Sequence, residues 1–342
     1  DFKRALIGSD DAAFNNWCNY ARMWFNHVNP YTGRAMKDEP GMPLISLINE
    51  GKMGGAINEC FKFESVRRVW DGYSGGKPLP KKGSKEADDF DTWFSRQTFE
   101  KCAEYVRSLG IHALLTNDNN GAHHADGEGC TPLYDYVDNH FYVDHPKFLG
   151  QSWRLPSKCG NRNPVSPDWL TPASVAYVRM AEKPFAITEW NFSGPGMFRG
   201  VGGIMTGALA SLQDWDGLWR FAYSHGHDDD LRDGNGFPNY FDMAGDPLGQ
   251  ASDRACICLY LRGDLEPLAD RIALGVGPAD YPKDGKPARV YVPFSVEYPQ
   301  GATRFLAPVN PANVVVTGIE AGSGGAAADG AAAAGTVDDM PF

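Results

Sequence analysis

Two glutamates each follow an apolar run, and this placement indicates chemistry by paired carboxylates. Glu189 follows the apolar or β-branched residues 185–188, which predict a short buried strand. Glu50 follows Asn49 at the end of the apolar-rich run PLISLINEG, residues 43–51. Because the carboxyl ends of parallel strands meet at one face of a barrel, both carboxylates are expected at that face. Two such carboxylates are what glycoside hydrolysis requires.

Each glutamate also has a simpler interpretation. A single glutamate after an apolar strand is usually a solvated loop residue or a charge at a helix N-terminus. The matching context of Glu50 and Glu189 favours the paired interpretation over the simpler one.

The two glutamate runs belong to an alternation of strands and helices. Strands are predicted for the run that ends at Glu50 and for residues 111–116, 136–143, 185–188 and 218–223. Helices are predicted for residues 11–28, 91–109, 170–181, 202–213 and 247–261, and residues 52–88 are predicted to be a long loop. This order predicts a parallel α/β fold with five βα units, which is part of a TIM-type (β/α)8 barrel without its first strands.

Three regions are predicted along the chain. Residues 1–287 form the partial barrel that carries the catalytic residues, and residues 288–320 are a β-strand segment that opens a small C-terminal β domain. Residues 321–342 are a low-complexity tail rich in glycine and alanine.

Composition excludes several classes of protein. The chain has 342 residues, 42% of them hydrophobic and 22% charged, which is typical of a globular protein. A net charge of -11 argues against a nucleic-acid partner, because phosphate binding needs clustered Lys and Arg. No apolar run is long enough to span a membrane, and the first residues lack the apolar core of a signal peptide. An extracellular or periplasmic location is nevertheless expected, and the oligomeric state is not predicted.

The cysteines and aromatic residues are less specific. Seven cysteines without metal-type spacing favour free thiols over a disulfide framework, and no cofactor is expected. Aromatic residues make up 12% of the chain, which suits both sugar-stacking sites and a large core.

Five segments of the chain resemble those of a known superfamily. They are NPYTG with KDEP, PLISLINEG, DNHFYVDHP, PFAITEWNF and SLQDWDGLWRFAYSHG. Together they resemble the retaining (β/α)8-barrel glycoside hydrolases of the cellulase-like superfamily, a broad group that includes endoglucanases, mannanases, β-galactosidases and agarases. The resemblance implies a retaining β-glycoside hydrolase that acts on a poly- or oligosaccharide. The Arg and His that earlier strands supply in this superfamily have no counterpart in the chain.

The resemblance also implies roles for individual residues. Glu50 is the acid/base, Glu189 is the nucleophile, and His140 and Tyr142 orient that nucleophile. Trp219 floors a sugar subsite, and Asn49 is expected to hold the substrate 2-hydroxyl. Donors to Glu189 are expected to keep it ionised, while the nearby Glu50 keeps its proton longer. Aromatic residues that fit equally well as sugar platforms or as rim packing are Trp153, Trp190 and Phe192.

Two other functions remain open from the sequence. One is a non-catalytic carbohydrate-binding barrel remnant that keeps the cleft without turnover. The other is a metal-dependent hydrolase, because two polar loops are rich in His and Asp, which suit zinc or similar ions. Its candidate ligands are His123, His124, Asp126, His225, His227 and Asp228. The favoured interpretation assigns no metal ligand to the site.

Overall fold

The computed structural model describes two compact units of the chain. The described residues are 2–51, 57–117, 119, 133–165, 172, 175, 179, 183–225 and 240–267, with the backbone alone for 57–58, 272–276 and 314–319. One unit, called unit 1, consists mainly of residues 1–138, and the other, unit 2, mainly of residues 139–275. In the described part of the chain, no helix is long and apolar enough to cross a membrane.

Unit 1 is built mostly of helices around a short parallel sheet. Its helices are α1 (Lys3–Ser9), α2 (Asp11–Phe25), α3 (Ile57–Cys60), α4 (Glu64–Ser74) and α5 (Lys85–Ser108), with a 3-10 turn at Met36–Asp38. Its strands are β1 (Leu44–Ser46) and β2 (Leu114–Thr116), which pair in parallel with Leu44 opposite Leu114. The Leu47 amide donates to the Thr116 carbonyl at 2.9 Å, so the pairing continues past the end of both strands. The chain therefore leaves both strands at the same edge.

Helix α5 begins earlier than the sequence predicted. Ser84 is its N-cap, and the Ser84 side chain accepts a hydrogen bond from the amide of Ala87. The expected start at Asp91 is wrong, because Ser84 caps the helix and the negative charge of Glu86 in the first turn interacts favourably with the positive end of the helix dipole. Its apolar residues pack into the core, where Phe94 and Cys102 are buried.

The expected long loop at residues 52–88 is also wrong for its middle part. Helix α4 lies there, and its Val66 and Trp70 are fully buried. These residues are four apart and so share one helix face, and Trp70 makes an edge contact with Phe90 at 5.2 Å. Gly72 lies within the helix despite the low helix propensity of glycine, and Gly75 caps the helix after Ser74 with φ of 70°.

Unit 2 is organised around a three-stranded sheet. Its strands are β3 (Val137–Val143), β4 (Lys147–Phe148), β5 (Ser157–Lys158), β6 (Phe185–Phe192) and β7 (Gly217–Arg220). The sheet order is β3-β6-β7, with β6 and β7 parallel, while β4 and β5 form a separate antiparallel pair. Its helices are α6 (Gly202–Leu212), which follows a 3-10 turn at Met197–Val201, and α7 (Pro247–Cys256), which continues as a π-helix at Ile257–Leu261.

Helices α6 and α7 approach each other closely at a glycine. A Cβ added to Gly203 would lie 1.7 Å from the carbonyl oxygen of Ser252. The Gly203 amide donates to the Ser252 hydroxyl at 2.7 Å. Only glycine allows this backbone contact, which fixes the two helices against each other.

The α/β class and the parallel pairing are confirmed. Each of the five predicted strands corresponds to a described strand, namely β1, β2, β3, β6 and β7, whereas β4, β5 and β8 were not predicted. Closure into a full or partial barrel stays a prediction. At the C-terminal end, β8 (Ile272–Val276) pairs with β9 (Val314–Ile319), and β9 falls within the predicted β segment. Several predictions fall on residues that the structure does not describe. They are the boundary at residues 287–288, the β segment before residue 314, the tail at 321–342 and most of the helix at 170–181.

The described cysteines agree with the prediction of free thiols. Those described are Cys18, Cys60, Cys102, Cys159, Cys256 and Cys258, and all of them are free. Burial raises the pKa of Cys102 and of Cys256 to about 12, so both are neutral at physiological pH.

Candidate active site

Glu189 lies at a bulge inside β6, not at the end of the strand. The register between β6 and β7 shifts between Ile187 and Trp190, so Thr188 and Glu189 together lie opposite the single residue Trp219. These two residues are half-buried, whereas the rest of the strand is buried. The bulge therefore places a hydroxyl and a carboxylate side by side on one face of the sheet.

Strand β3 supplies the side chains that contact this pair. Tyr142 Oη donates to Glu189 Oε2 at 2.8 Å, and His140 Nδ1 lies 3.4 Å from the same oxygen. His140 Nε2 is 3.0 Å from the hydroxyl of Thr188. His140 and Tyr142 are two residues apart in a strand, so their side chains point to the same face. The sequence placed both residues around Glu189, and the structure of unit 2 brings all three together.

Trp219 is available at this face of the sheet. It lies opposite the bulge and is 46% exposed. Its ring covers Gly217, where an added Cβ would come within 2.3 Å of the indole. An exposed indole beside the carboxylate is suited to packing against a sugar ring.

Trp190 is not available to a substrate, and its predicted role is wrong. It is 1% exposed and stacks on Phe141 with ring centres 6.0 Å apart. The guanidinium of Arg220 lies 4.8 Å from its ring, and burial lowers the pKa of that guanidinium. Because of the bulge, Trp190 shares the core face with Ile187. The alternative platform Phe192 is also buried, on the same aromatic cluster.

In unit 1, a buried asparagine holds the turn that carries the other predicted carboxylate. Asn119 Oδ1 accepts the backbone amide of Glu50 at 2.8 Å, and Asn119 Nδ2 donates to Asn49 Oδ1 at 2.9 Å. Glu50 has φ of 50°, which is the left-handed region. Lys3 Nζ donates to the Asn49 carbonyl at 2.8 Å. Asn49 and Glu50 are thus fixed from two sides.

Glu50 differs from its predicted position in one respect. Strand β1 ends at Ser46, so Glu50 lies in a turn beyond the strand and not at its last residue. Glu50 belongs to unit 1 and Glu189 to unit 2, and their pairing stays a prediction.

Sequence reasoning missed Thr188, Asn119 and Lys3. Thr188 and Asn119 each come just before or after a predicted strand end, and a polar residue there is a weak signal of a role at the site. Lys3 gave no signal, because helix α1 was not predicted and the contact of Lys3 with residue 49 spans 46 residues of the chain.

Of the alternative metal ligands, only His225 lies among the described residues. Its Nδ1 is hydrogen-bonded to the buried carboxylate of Asp242, and its backbone amide donates to Asp242 Oδ2 at 3.1 Å. A carboxylate on one ring nitrogen is typical of histidines that bind a metal through the other. The remaining candidates, His123, His124, Asp126, His227 and Asp228, lie outside the described residues.

Comparison with known proteins gives similarity to two solved glycosidases. No protein-family model matches the chain, and no curated protein matches it significantly. The chain is similar to the endo-1,4-beta-mannanase from Rhizomucor miehei, with 14% identity and a TM-score of 0.44 over 74% of this chain and 63% of that one. It is also similar to the endo-beta-1,4-mannanase from Thermotoga petrophila, with 14% identity and a TM-score of 0.45 over 80% of this chain and 57% of that one. The chain therefore spans less than two thirds of the length of either.

Proposed function

We propose that this chain is a retaining β-glycoside hydrolase that acts on a poly- or oligosaccharide by double displacement. The arrangement of Tyr142 and His140 around one oxygen of Glu189 carries the proposal. A carboxylate that is held by a phenol and an imidazole, beside an exposed indole, has the surroundings that a glycosidase nucleophile needs. The resemblance of the sequence to cellulase-like hydrolases supports the same assignment.

In the first step, Glu189 attacks the anomeric carbon and the glycosidic C–O bond breaks. Glu189 Oε2 accepts the hydrogen bond from Tyr142 and lies 3.4 Å from His140 Nδ1, so Oε1 is assigned as the oxygen that forms the new ester bond. The leaving oxygen takes a proton from Glu50, which becomes ionised. The products of this step are the released alcohol and a covalent glycosyl-enzyme.

In the second step, Glu50 accepts a proton from water, whose oxygen attacks the anomeric carbon and releases Glu189. Net retention results from two inversions at the same carbon. Retention demands about 5–5.5 Å between the two carboxyl groups. Asn49 is assigned to the substrate 2-hydroxyl, a contact that strengthens in the transition state.

Chemical trapping tests the nucleophile directly. The protein is incubated with aryl 2-deoxy-2-fluoro-β-glycosides of several sugars, digested and mapped by mass spectrometry. The glycosyl label is expected on Glu189, and Glu189→Gln is expected to abolish both labelling and hydrolysis of β-glycans. Glu104→Gln, at an exposed site on α5, is the matched control and keeps both. Label on another carboxylate, or full turnover by Glu189→Gln, would exclude this mechanism.

Azide rescue tests the acid/base. With Glu50→Ala, azide is expected to restore turnover of an activated aryl glycoside and to give a β-glycosyl azide, because azide needs no general base. An α-glycosyl azide would indicate inversion and overturn the proposal. Hydrolysis by Glu50→Ala at the parent rate on a substrate with a poor leaving group would remove Glu50 from the mechanism.

The carboxylate contact of His225 supports a second candidate, a metal-dependent hydrolase. In that case the pair of His225 with Asp242 would hold a metal through the free ring nitrogen. Loss of hydrolysis after treatment with a chelator, and its return with zinc, would favour this candidate over the glutamate mechanism.

A further inference from the structure

An exposed aromatic side chain stands on a loop beside the Glu189 site. The loop joins β4 to β5 and consists of residues 149–156, and its ends are closed by a hydrogen bond from the Leu149 amide to the Pro156 carbonyl at 2.9 Å. Trp153 lies within this loop, and 61% of its surface is exposed. An exposed indole offers a flat apolar face on which a ligand ring can stack.

The backbone at Trp153 strengthens the case for function. Its φ is 63°, in the left-handed region that glycine adopts freely and other residues adopt at a cost of about 1–3 kcal/mol. Backbone outliers of this kind cluster at ligand-binding sites. A tryptophan at a position that favours glycine indicates that the ring contributes something other than stability.

Rings beneath Trp153 hold it in place. Its ring centre lies 4.9 Å from that of Phe148, 5.8 Å from that of His145 and 6.2 Å from that of Phe241. Phe241 is buried, so the loop is anchored to the core of unit 2. The indole is therefore held by its neighbours while more than half of it stays open.

Two of the same rings contact the tyrosine that holds Glu189. Tyr142 lies 5.6 Å from His145 and 4.9 Å from Phe241, measured between ring centres. Trp153 is thus two ring contacts away from the side chain that donates to Glu189.

We propose that Trp153 is a stacking platform for a sugar ring remote from the bond that is cleaved, so that the protein selects oligosaccharides over short glycosides. This assignment rests on the function proposed above. Aromatic faces bind the apolar faces of sugar rings, and the strained, buttressed indole is organised for that contact before the ligand arrives.

Binding measurements separate this assignment from catalysis. The parent for these measurements is Glu189→Gln, which binds without turnover, and Trp153→Ala and Trp153→Phe are added to it. Affinity is measured calorimetrically for β-1,4-linked gluco- and manno-oligosaccharides of increasing length. Trp153→Ala is expected to weaken binding of the longer oligosaccharides about tenfold and to leave binding of the shortest unchanged. Trp153→Phe is expected to weaken binding of the longer oligosaccharides less than Trp153→Ala, because a smaller aromatic ring remains.

Two controls test the loop and the ring separately. Leu155→Ala changes another exposed residue of the same loop and Trp24→Ala removes an exposed tryptophan from unit 1, and neither is expected to alter binding. Trp153→Gly relieves the backbone strain, so it is expected to melt no lower than Trp153→Ala while binding equally poorly.

The outcomes distinguish the two levels of inference. Equal affinity of Trp153→Ala and its parent for long oligosaccharides overturns the platform and leaves the proposed function intact. A loss of the same size for short and long oligosaccharides also overturns it, because that result indicates general disturbance of the site. If the Glu189→Gln parent binds no saccharide and the unmodified chain hydrolyses none, the proposed function fails and the platform fails with it.

Discussion

Tyr142 and Glu189 are joined by a 2.8 Å hydrogen bond from the phenol to Oε2, between neighbouring strands of one sheet. Strand β3, through Tyr142, fixes the orientation of the carboxylate, and β6 fixes its position along the sheet. Two strands together therefore define where the nucleophile points. The contribution of β3 can be tested by a substitution that leaves β6 unchanged.

Removing the Tyr142 hydroxyl is expected to slow catalysis more than it weakens binding. Tyr142→Phe removes a hydrogen bond to a charged group, worth about 1.5–3 kcal/mol, and is expected to lower kcat about 10–100-fold with little change in KM. Steady-state kinetics on an aryl glycoside measures both constants. Tyr260→Phe is the matched control, because the Tyr260 hydroxyl donates to the Trp215 carbonyl at 2.6 Å. Equal kcat for Tyr142→Phe and the parent would contradict this assignment.

Asn119 is expected to act through Glu50. Asn119→Ala removes the hydrogen bonds to the Glu50 amide and to the Asn49 side chain, so the acid/base is held less firmly. We expect kcat/KM to fall about tenfold on substrates with poor leaving groups and to change little on activated ones, which need no proton. Asn19→Ala, exposed on α2, is the control. A uniform loss on all leaving groups would instead indicate a structural role.

Asp246 is expected to be important for the stability of unit 2. Its carboxylate binds Arg199 through two contacts, at 2.8 and 3.1 Å, and caps α7 by accepting the Leu248 amide. Asp246→Ala is expected to lower the free energy of unfolding by about 2–3 kcal/mol, since it removes the carboxylate partner of a half-buried guanidinium together with a helix cap. Urea unfolding measures the change.

The exposed pair of Arg262 with Asp264 is the control for that variant. Asp264→Ala removes a carboxylate that also contacts an arginine but lies at the surface, so no measurable change in the urea midpoint is expected. Equal effects of the two substitutions would show that burial does not distinguish the pairs.

Two glycines are expected to respond in opposite directions to alanine. Gly203→Ala brings a methyl group against the Ser252 carbonyl, and is expected to destabilise unit 2 by about 3 kcal/mol or more. Gly72→Ala, on α4 with open space around the added Cβ, is expected to stabilise the protein by about 0.5–1 kcal/mol. Thermal unfolding of both variants gives the comparison, and a tolerated Gly203→Ala would contradict the close contact of α6 with α7.

The burial of Cys102 predicts a loss of stability at alkaline pH. Burial raises its pKa from 9.0 to about 12, so between these values the folded protein holds a proton that the unfolded chain has released. The contribution is complete below pH 9 and falls by about 1.4 kcal/mol per pH unit as pH rises towards 12. Cys102→Ala is expected to flatten the fall of unfolding free energy with pH by that amount. An unchanged slope would show that the thiol is not responsible.

Local sequence patterns predicted most of the strands and helices. The apolar runs before Glu50 and Glu189 are strands, and the Asp11 helix begins as expected, because burial and capping act over a few residues. The glycine and lysine content of residues 52–88 wrongly predicted a loop where α4 lies. The buried face of this helix depends on only a few residues, such as Val66 and Trp70. Composition over a long window therefore hid a short amphipathic helix.

The part of the site that lies within strands was predictable from local sequence patterns. Glu189, His140 and Tyr142 are identified by type and spacing within strands, and unit 2 brings them together. Trp190 was misassigned, because simple alternation from Phe185 does not reveal that an extra residue intervenes. The position of Asn119 depends on a loop conformation that single-sequence periodicity does not encode. For the same reason the sequence could not decide whether Trp153 is a sugar platform or packs at the rim.

The bulge in β6 reverses the parity of the strand. Phe185 and Ile187 face the core with odd numbers, and Trp190 and Phe192 face it with even numbers. Counting by twos from either end of β6 therefore gives the wrong face at the other end. Adding or removing one residue between these ends exchanges the residues of the site with those of the core. The position of the carboxylate is therefore encoded by a count of residues as much as by their types.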